Sequence, residues 1–145
     1  MVTGLRAESV TVRFDAKVVV DAVDLTVDSG EVVAIVGSSG CGKSTLLRAI
    51  AGLEPLAGGS ISWAGTDLAA VPTHRRGFAM MFQDGQLFDH FSVAKNVGYA
   101  PRLAGLRGPA LAIRVSELID LVGLAGYEER EPATLSGGER QRVAL

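Results

Sequence analysis

Apolar and polar positions alternate near the start of the chain. Val10, Val12 and Phe14 are separated by Thr11 and Arg13, the period of two that marks a half-buried strand. Asp15-Ala16-Lys17 predicts a hairpin turn into Val18-Val19-Val20. Val23, Leu25 and Val27 then alternate with Asp24, Thr26 and Asp28, so a second strand runs to a turn at Asp28-Ser29-Gly30. After that turn the alternation gives way to unbroken runs. Val32-Val33-Ala34-Ile35-Val36 and Phe78-Ala79-Met80-Met81-Phe82 are apolar throughout, which predicts two strands buried on both faces of a parallel sheet. Between the runs, Leu46, Leu47, Ile50 and Leu53 recur at helical spacing and Gly52 suits the helix end. Residues 55–59 form a breaker-rich connection, and Ser60-Ile61-Ser62-Trp63 reads as a short strand turned at Gly65.

From about Gln86 the period becomes helical. Pro101, Gly105 and Gly108 separate a short helix over 92–99 from a longer one. In the longer one Leu111, Val115, Leu118 and Val122 share a face, Arg114, Glu117 and Asp120 point away, and Gly123 closes it. Core packing accounts for that stripe. Residues 126–134 form a loop whose cluster Glu128-Glu129-Arg130-Glu131 is a solvated surface. A new helical pattern begins near Ser136 and runs to Leu145. Strands followed by helices around buried apolar runs predict an α/β fold.

Composition narrows this picture. The chain has 145 residues, 48% hydrophobic and 21% charged, which is globular rather than disordered. Mean hydropathy is +0.29, yet no apolar run approaches the roughly 18–20 residues that a spanning helix requires, so the excess belongs to a core. The first ten residues include Arg6 and Glu8 and lack a signal-peptide stretch. A formal net charge of −2 gives no global attraction to nucleic acid. The lone Cys41 forms no internal disulfide and fits a reducing compartment. His74 and His90 lack metal-ligand spacing, so no metal site is built from side chains alone.

The chemistry concentrates in Gly37-Ser38-Ser39-Gly40-Cys41-Gly42-Lys43-Ser44-Thr45, which fits G-x-x-x-x-G-K-[ST]. It lies between a predicted buried strand and a predicted helix start. Glycines let the backbone turn its N–H groups around phosphates, and the helix dipole favours the same negative charge. Lys43 would reach the β- and γ-phosphates, and the Ser44 hydroxyl would join a Mg²⁺ ion. A second stretch, Leu135-Ser136-Gly137-Gly138-Glu139-Arg140-Gln141-Arg142, reads first as a capping box, with Ser136 as N-cap and Glu139 three residues later. Its two glycines also expose backbone N–H groups at a helix start, which makes a second anion site.

On these motifs the sequence resembles the ATP-binding subunits of ABC transporters. Residues 37–45 are similar to their Walker A loop, residues 135–141 to their signature motif, and Phe82-Gln83 to their Q-loop. Phe14 stands where that family places an aromatic ring that stacks on adenine, although it is also an ordinary strand residue able to face the core. Residues 86–97 resemble the importer branch serving iron, thiamine, polyamines or oxyanions, with Asp89 where proline is common and Glu139 in place of glutamine.

The resemblance implies a P-loop ATPase core with an N-terminal antiparallel β subdomain at 1–87, and a helical subdomain at 88–145. It implies ATP and Mg²⁺ held by 37–45, with Gln83 contacting Mg²⁺ or the attacking water and acting with Lys43 in catalysis. Ser136, Gly137, Gly138 and Glu139 would close over the ATP of a second, head-to-tail subunit. Transmembrane permease subunits would be partners, nucleic acid would not, and the protein would sit on the cytoplasmic face of the membrane. The family continues to a Walker B strand, a glutamate and a switch histidine that are not found before Leu145. The 145 residues are therefore expected to be an incomplete domain that hydrolyses ATP poorly alone. A non-transport ABC ATPase acting as a mechanical switch in translation or DNA repair is the alternative. A small-molecule kinase or GTPase is disfavoured, because no Asn-Lys-x-Asp motif is present and 135–141 has no role in a kinase.

Overall fold

The alternating apolar positions of the first thirty residues pair with one another. In the computed structural model, which describes residues 4–82 and 85–145, β1 (Gly4–Phe14) and β2 (Lys17–Asp28) form a long hairpin. β3 (Gly58–Trp63) pairs with the other edge of β1, and β4 (Thr66–Asp67) with β3. The four strands are antiparallel, in the order β2-β1-β3-β4.

The buried positions of β1 change parity, from Leu5 and Ala7 to Val10 and Val12. A strict ladder would put the two sets on opposite faces. Register shifts between Ala7 and Val12, with Ser9 at φ 49° and Ala22 of β2 at φ 44°, insert the extra residues that return both sets to one face. The N–H groups freed by these bulges find side chains: Ser9 N donates to Asp24 Oδ1 at 2.6 Å, and Ala22 N to Thr11 Oγ1 at 3.1 Å.

α1 (Lys43–Ala51) covers the buried face through Leu46, Ala49 and Ile50. Each fully buried aliphatic side chain there contributes about 1.5–3 kcal/mol. The expected stripe is off by part of a turn, since Leu47 and Leu53 are exposed and Ala49 is buried.

The two parallel strands expected at 32–36 and 78–82 are not formed. Among the described residues no backbone hydrogen bond engages 32–36, and neither run belongs to the sheet. Val32 is 95% exposed and Val36 88% exposed, while Ile35 and Phe78 pack against the first core. The physical reason is that an apolar run reports a tendency to be buried, whereas a strand exists only through neighbours that complete its ladder. No such neighbour lies beside these runs among the described residues.

The described residues fall into two compact units, Met1–Met80 and Met81–Leu145. The second is helical: α2 (Val93–Val97), α3 (Tyr99–Leu103), α4 (Gly108–Leu121) and α5 (Gly137–Ala144). Its core is Val93, Val115, Ile119, Leu124, Leu135 and Val143. Ile119, outside the expected face of α4, is one of its fully buried members. Pro101 does not separate helices but sits third in α3, where the missing N–H would have had no intrahelical partner. The first turn of α2 is completed from outside, with Val93 N donating to Arg130 O and Ala94 N to Glu128 O, both at 2.9 Å.

Candidate functional site

The loop 37–45 is shaped by its glycines. Gly40 lies at φ 79° and Gly42 at φ 95°, a left-handed conformation that costs most other residues. A Cβ on Gly42 would lie 2.5 Å from the Val19 carbonyl oxygen of β2, so the loop approaches the hairpin as closely as a bare Cα allows. A Cβ on Gly37 would meet Cys41 Sγ at 2.8 Å. Gly42 is also the N-cap of α1, which has no side-chain cap and no acidic residue in its first turn. The first N–H groups of the helix are thus left for an outside acceptor. Lys43 Nζ folds over the loop, donating to Gly37 O at 2.8 Å and Ser38 O at 2.7 Å, with Cys41 Sγ at 3.6 Å. The loop therefore sets an ammonium beside a bare helix N-terminus, with Ser39 and Ser44 exposed along it. An uncapped helix start beside an ammonium is a donor set that suits phosphate oxygens. The hard oxygen of Ser44 suits Mg²⁺ in company with phosphate oxygens, and among the described residues no cluster of His, Cys, Asp or Glu could hold a metal by itself.

Phe14 ends β1 and is 44% exposed as a residue, which removes the reading of a side chain packed into the core. Gln83 lies outside the described residues.

In the second unit the capping box is complete. Ser136 Oγ accepts from Glu139 N at 3.3 Å, and Glu139 Oε2 accepts from Ser136 N at 2.7 Å. The Ser136 N–H, then the hydroxyls of Ser136 and Tyr127, hold the Glu139 carboxyl below the usual carboxylate range. Gly137 and Gly138 stay exposed at the helix start. Arg140, one residue further, donates to Pro132 O at 3.0 Å and lies 3.6 Å from Asp89, a link that the sequence did not suggest. Asn96 holds the 88–92 segment, accepting from Phe88 N at 2.8 Å and donating to the carbonyls of Phe88, Phe91 and Ser92. Around it the Phe88 ring meets those of Tyr99 (4.8 Å between centroids) and Phe91 (5.4 Å) at a tilt, and Phe88 and Tyr99 remain exposed.

Comparison with known proteins gives consistent likenesses. Residues 20–145 match the family described as ABC transporter. The chain is 50% identical over 141 residues to the Fe(3+) ions import ATP-binding protein FbpC of Streptomyces coelicolor, covering 97% of this chain and 40% of that protein. It is 52% identical over 123 residues to the sn-glycerol-3-phosphate import ATP-binding protein UgpC 2 of Agrobacterium fabrum, covering 85% and 33%. It is 43% identical over 141 residues to the putrescine transport ATP-binding protein PotG of Escherichia coli, covering 97% and 37%. A solved structure described as the ATP binding subunit of an ABC transporter superposes with a TM-score of 0.83 at 31% identity, covering 98% of this chain and 60% of that one. The chain thus spans about two fifths of the length of the first of these relatives.

Proposed function

The chain belongs to the ABC transporter family, and from that membership we propose that it binds and hydrolyses ATP to energise an importer. The observation that carries the reading is the 37–45 loop: an uncapped helix start, left-handed glycines and the Lys43 ammonium converge on one cradle. In this reading the N–H groups of 40–45 take the phosphate oxygens and Lys43 exchanges the carbonyls of Gly37 and Ser38 for the β- and γ-phosphates. Ser44 and, as the resemblance implies, Gln83 hold Mg²⁺, which when bound offsets the charge of the transferring phosphoryl group. Phe14, exposed at the tip of the hairpin, is free to stack on the adenine.

Ser136, Gly137 and Gly138 serve a second ATP-binding subunit, the exposed glycine N–H groups closing over its γ-phosphate. Glu139 acts by holding that turn, because a carboxylate touching phosphate would repel it. Residues 1–87 form the ATP-binding core and 88–145 the helical part that meets a transmembrane permease. The exposed rings of Phe88 and Tyr99 support that docking, since contiguous exposed apolar surface marks an interaction site. No helix among the described residues is long and apolar enough to cross a membrane, and attachment to the cytoplasmic face would come through the permease. The import-protein names of the relatives favour import and leave the cargo open.

Two variants of the full-length protein test the reading. Lys43→Ala should remove ATP turnover with the fold intact. Ser136→Arg should leave ATP binding to each subunit but prevent ATP-driven dimerisation on a sizing column; a dimer that still forms would reduce Ser136 to a helix cap.

A further inference from the structure

Arg76 follows the 3-10 turn Thr73–Arg75, and its guanidinium is surrounded by main-chain carbonyls. Nε donates to Val71 O at 3.0 Å and Nη2 to Leu68 O at 3.0 Å. Nη1 donates to Ile50 O at 2.9 Å and Ala49 O at 3.3 Å. Among the described residues no carboxylate pairs with it. Ala49 and Ile50 lie in the last turn of α1, where a cation complements the helix dipole. The Ala49 carbonyl also accepts from Gly52 N at 3.0 Å, so Arg76 adds a second donor to it and supplements the backbone cap. The neighbouring Thr73 Oγ1 donates to Gly52 O at 2.6 Å. Gly52 leaves room for this arrangement, since a Cβ there would stand 2.6 Å from Arg76 Cζ, and its φ of 83° suits glycine as well.

We propose that Arg76 is a positioning residue for nucleotide binding: its guanidinium clamps the C-terminal end of α1 to the 68–71 loop and so fixes where the N-terminal end of α1 and Lys43 point. The proposal rests on the reading of 37–45 as the triphosphate site. Helix α1 has nine residues, about 13 Å at 1.5 Å per residue, so the clamp acts through the placement of the helix and not by touching phosphate. A planar fork is needed for this work. A lysine supplies the charge at the helix end but cannot bridge carbonyls of two segments in the same way.

The test is titration of the full-length protein with the fluorescent nucleotide mant-ATP, for wild type, Lys43→Ala, Arg76→Ala and Arg76→Lys, with far-ultraviolet circular dichroism on each. Both Arg76 variants should bind about tenfold more weakly. Millimolar methylguanidinium should restore Arg76→Ala toward wild type while leaving Lys43→Ala unchanged. If Arg76→Ala does not fold, Arg76→Lys decides by its own affinity. Wild-type affinity in a folded Arg76→Lys overturns the clamp, reducing Arg76 to a charge at the helix end. Failure of methylguanidinium to rescue a folded Arg76→Ala also overturns it. A wild type that does not bind mant-ATP, or a Lys43→Ala that binds as wild type does, instead removes the nucleotide reading and the proposal with it.

Discussion

α1 and α5 both begin beside glycines, and their first turns are treated in opposite ways. α5 supplies its own anion: Ser136 and Glu139 cap each other, and the carboxyl is held ionised by the donors around it. α1 starts from Gly42, with no side-chain cap and no acid in its first turn, and carries Lys43 at its first position. A helix start neutralised from within is mainly a structural joint. One left bare beside an ammonium is a place for an anion from outside. The turn that opens α5 keeps only the exposed glycines Gly137 and Gly138 for such a role; that it serves a second subunit is what the family resemblance implies.

The largest effect that breaks this contrast is expected from Lys43→Ala. ATP turnover by the full-length protein should fall by about 10²-fold or more, with an unchanged circular dichroism spectrum, and wild-type turnover would remove the assignment. Gly42→Ala comes next. At φ 95°, with the Val19 carbonyl oxygen 2.5 Å from the new Cβ, the loop must shift. The strain should cost ~1–3 kcal/mol, readable as a lower urea midpoint together with weakened nucleotide binding. An unchanged midpoint would mean that the hairpin does not constrain the loop.

At the other helix, Ser136→Ala should cost ~1 kcal/mol of stability, the usual worth of an N-cap side chain. Calorimetry showing no change would say that Glu139 alone suffices.

The smallest effect concerns pH. Glu139 has its folded pKa below the unfolded value, so its contribution is present above the ordinary carboxylate range and is lost as pH falls through the lowered folded value. Glu139→Gln, which cannot titrate, should therefore show a shallower loss of melting temperature on acidification than wild type. Parallel acid profiles would detach Glu139 from the cap.

These contrasts were legible in the sequence where the signal is local. The hairpin, the glycine-lysine loop, the capping box and the main face of α4 each follow from residues within a few positions of one another. Distant partners left no such trace. The parity change between Ala7 and Val10 hides two bulges whose N–H groups are met by Asp24 and Thr11. The Arg76 fork reaches carbonyls 26 and 27 positions away, and nothing near Arg76 announces it. Residues 32–36 and 78–82 failed for the same reason in reverse: their apolar character is local, but the ladder that would make them strands is not.

Backbone amide spectra of isotopically labelled protein, recorded as ATP is added, compare the two helix starts most directly. Before any dimer forms, the N–H resonances of Gly40, Gly42, Lys43, Ser44 and Thr45 should move saturably, and those of Gly137 and Gly138 should stay still. Shifts confined to Gly137 and Gly138, or none at 40–45 at saturating ATP, would contradict the account.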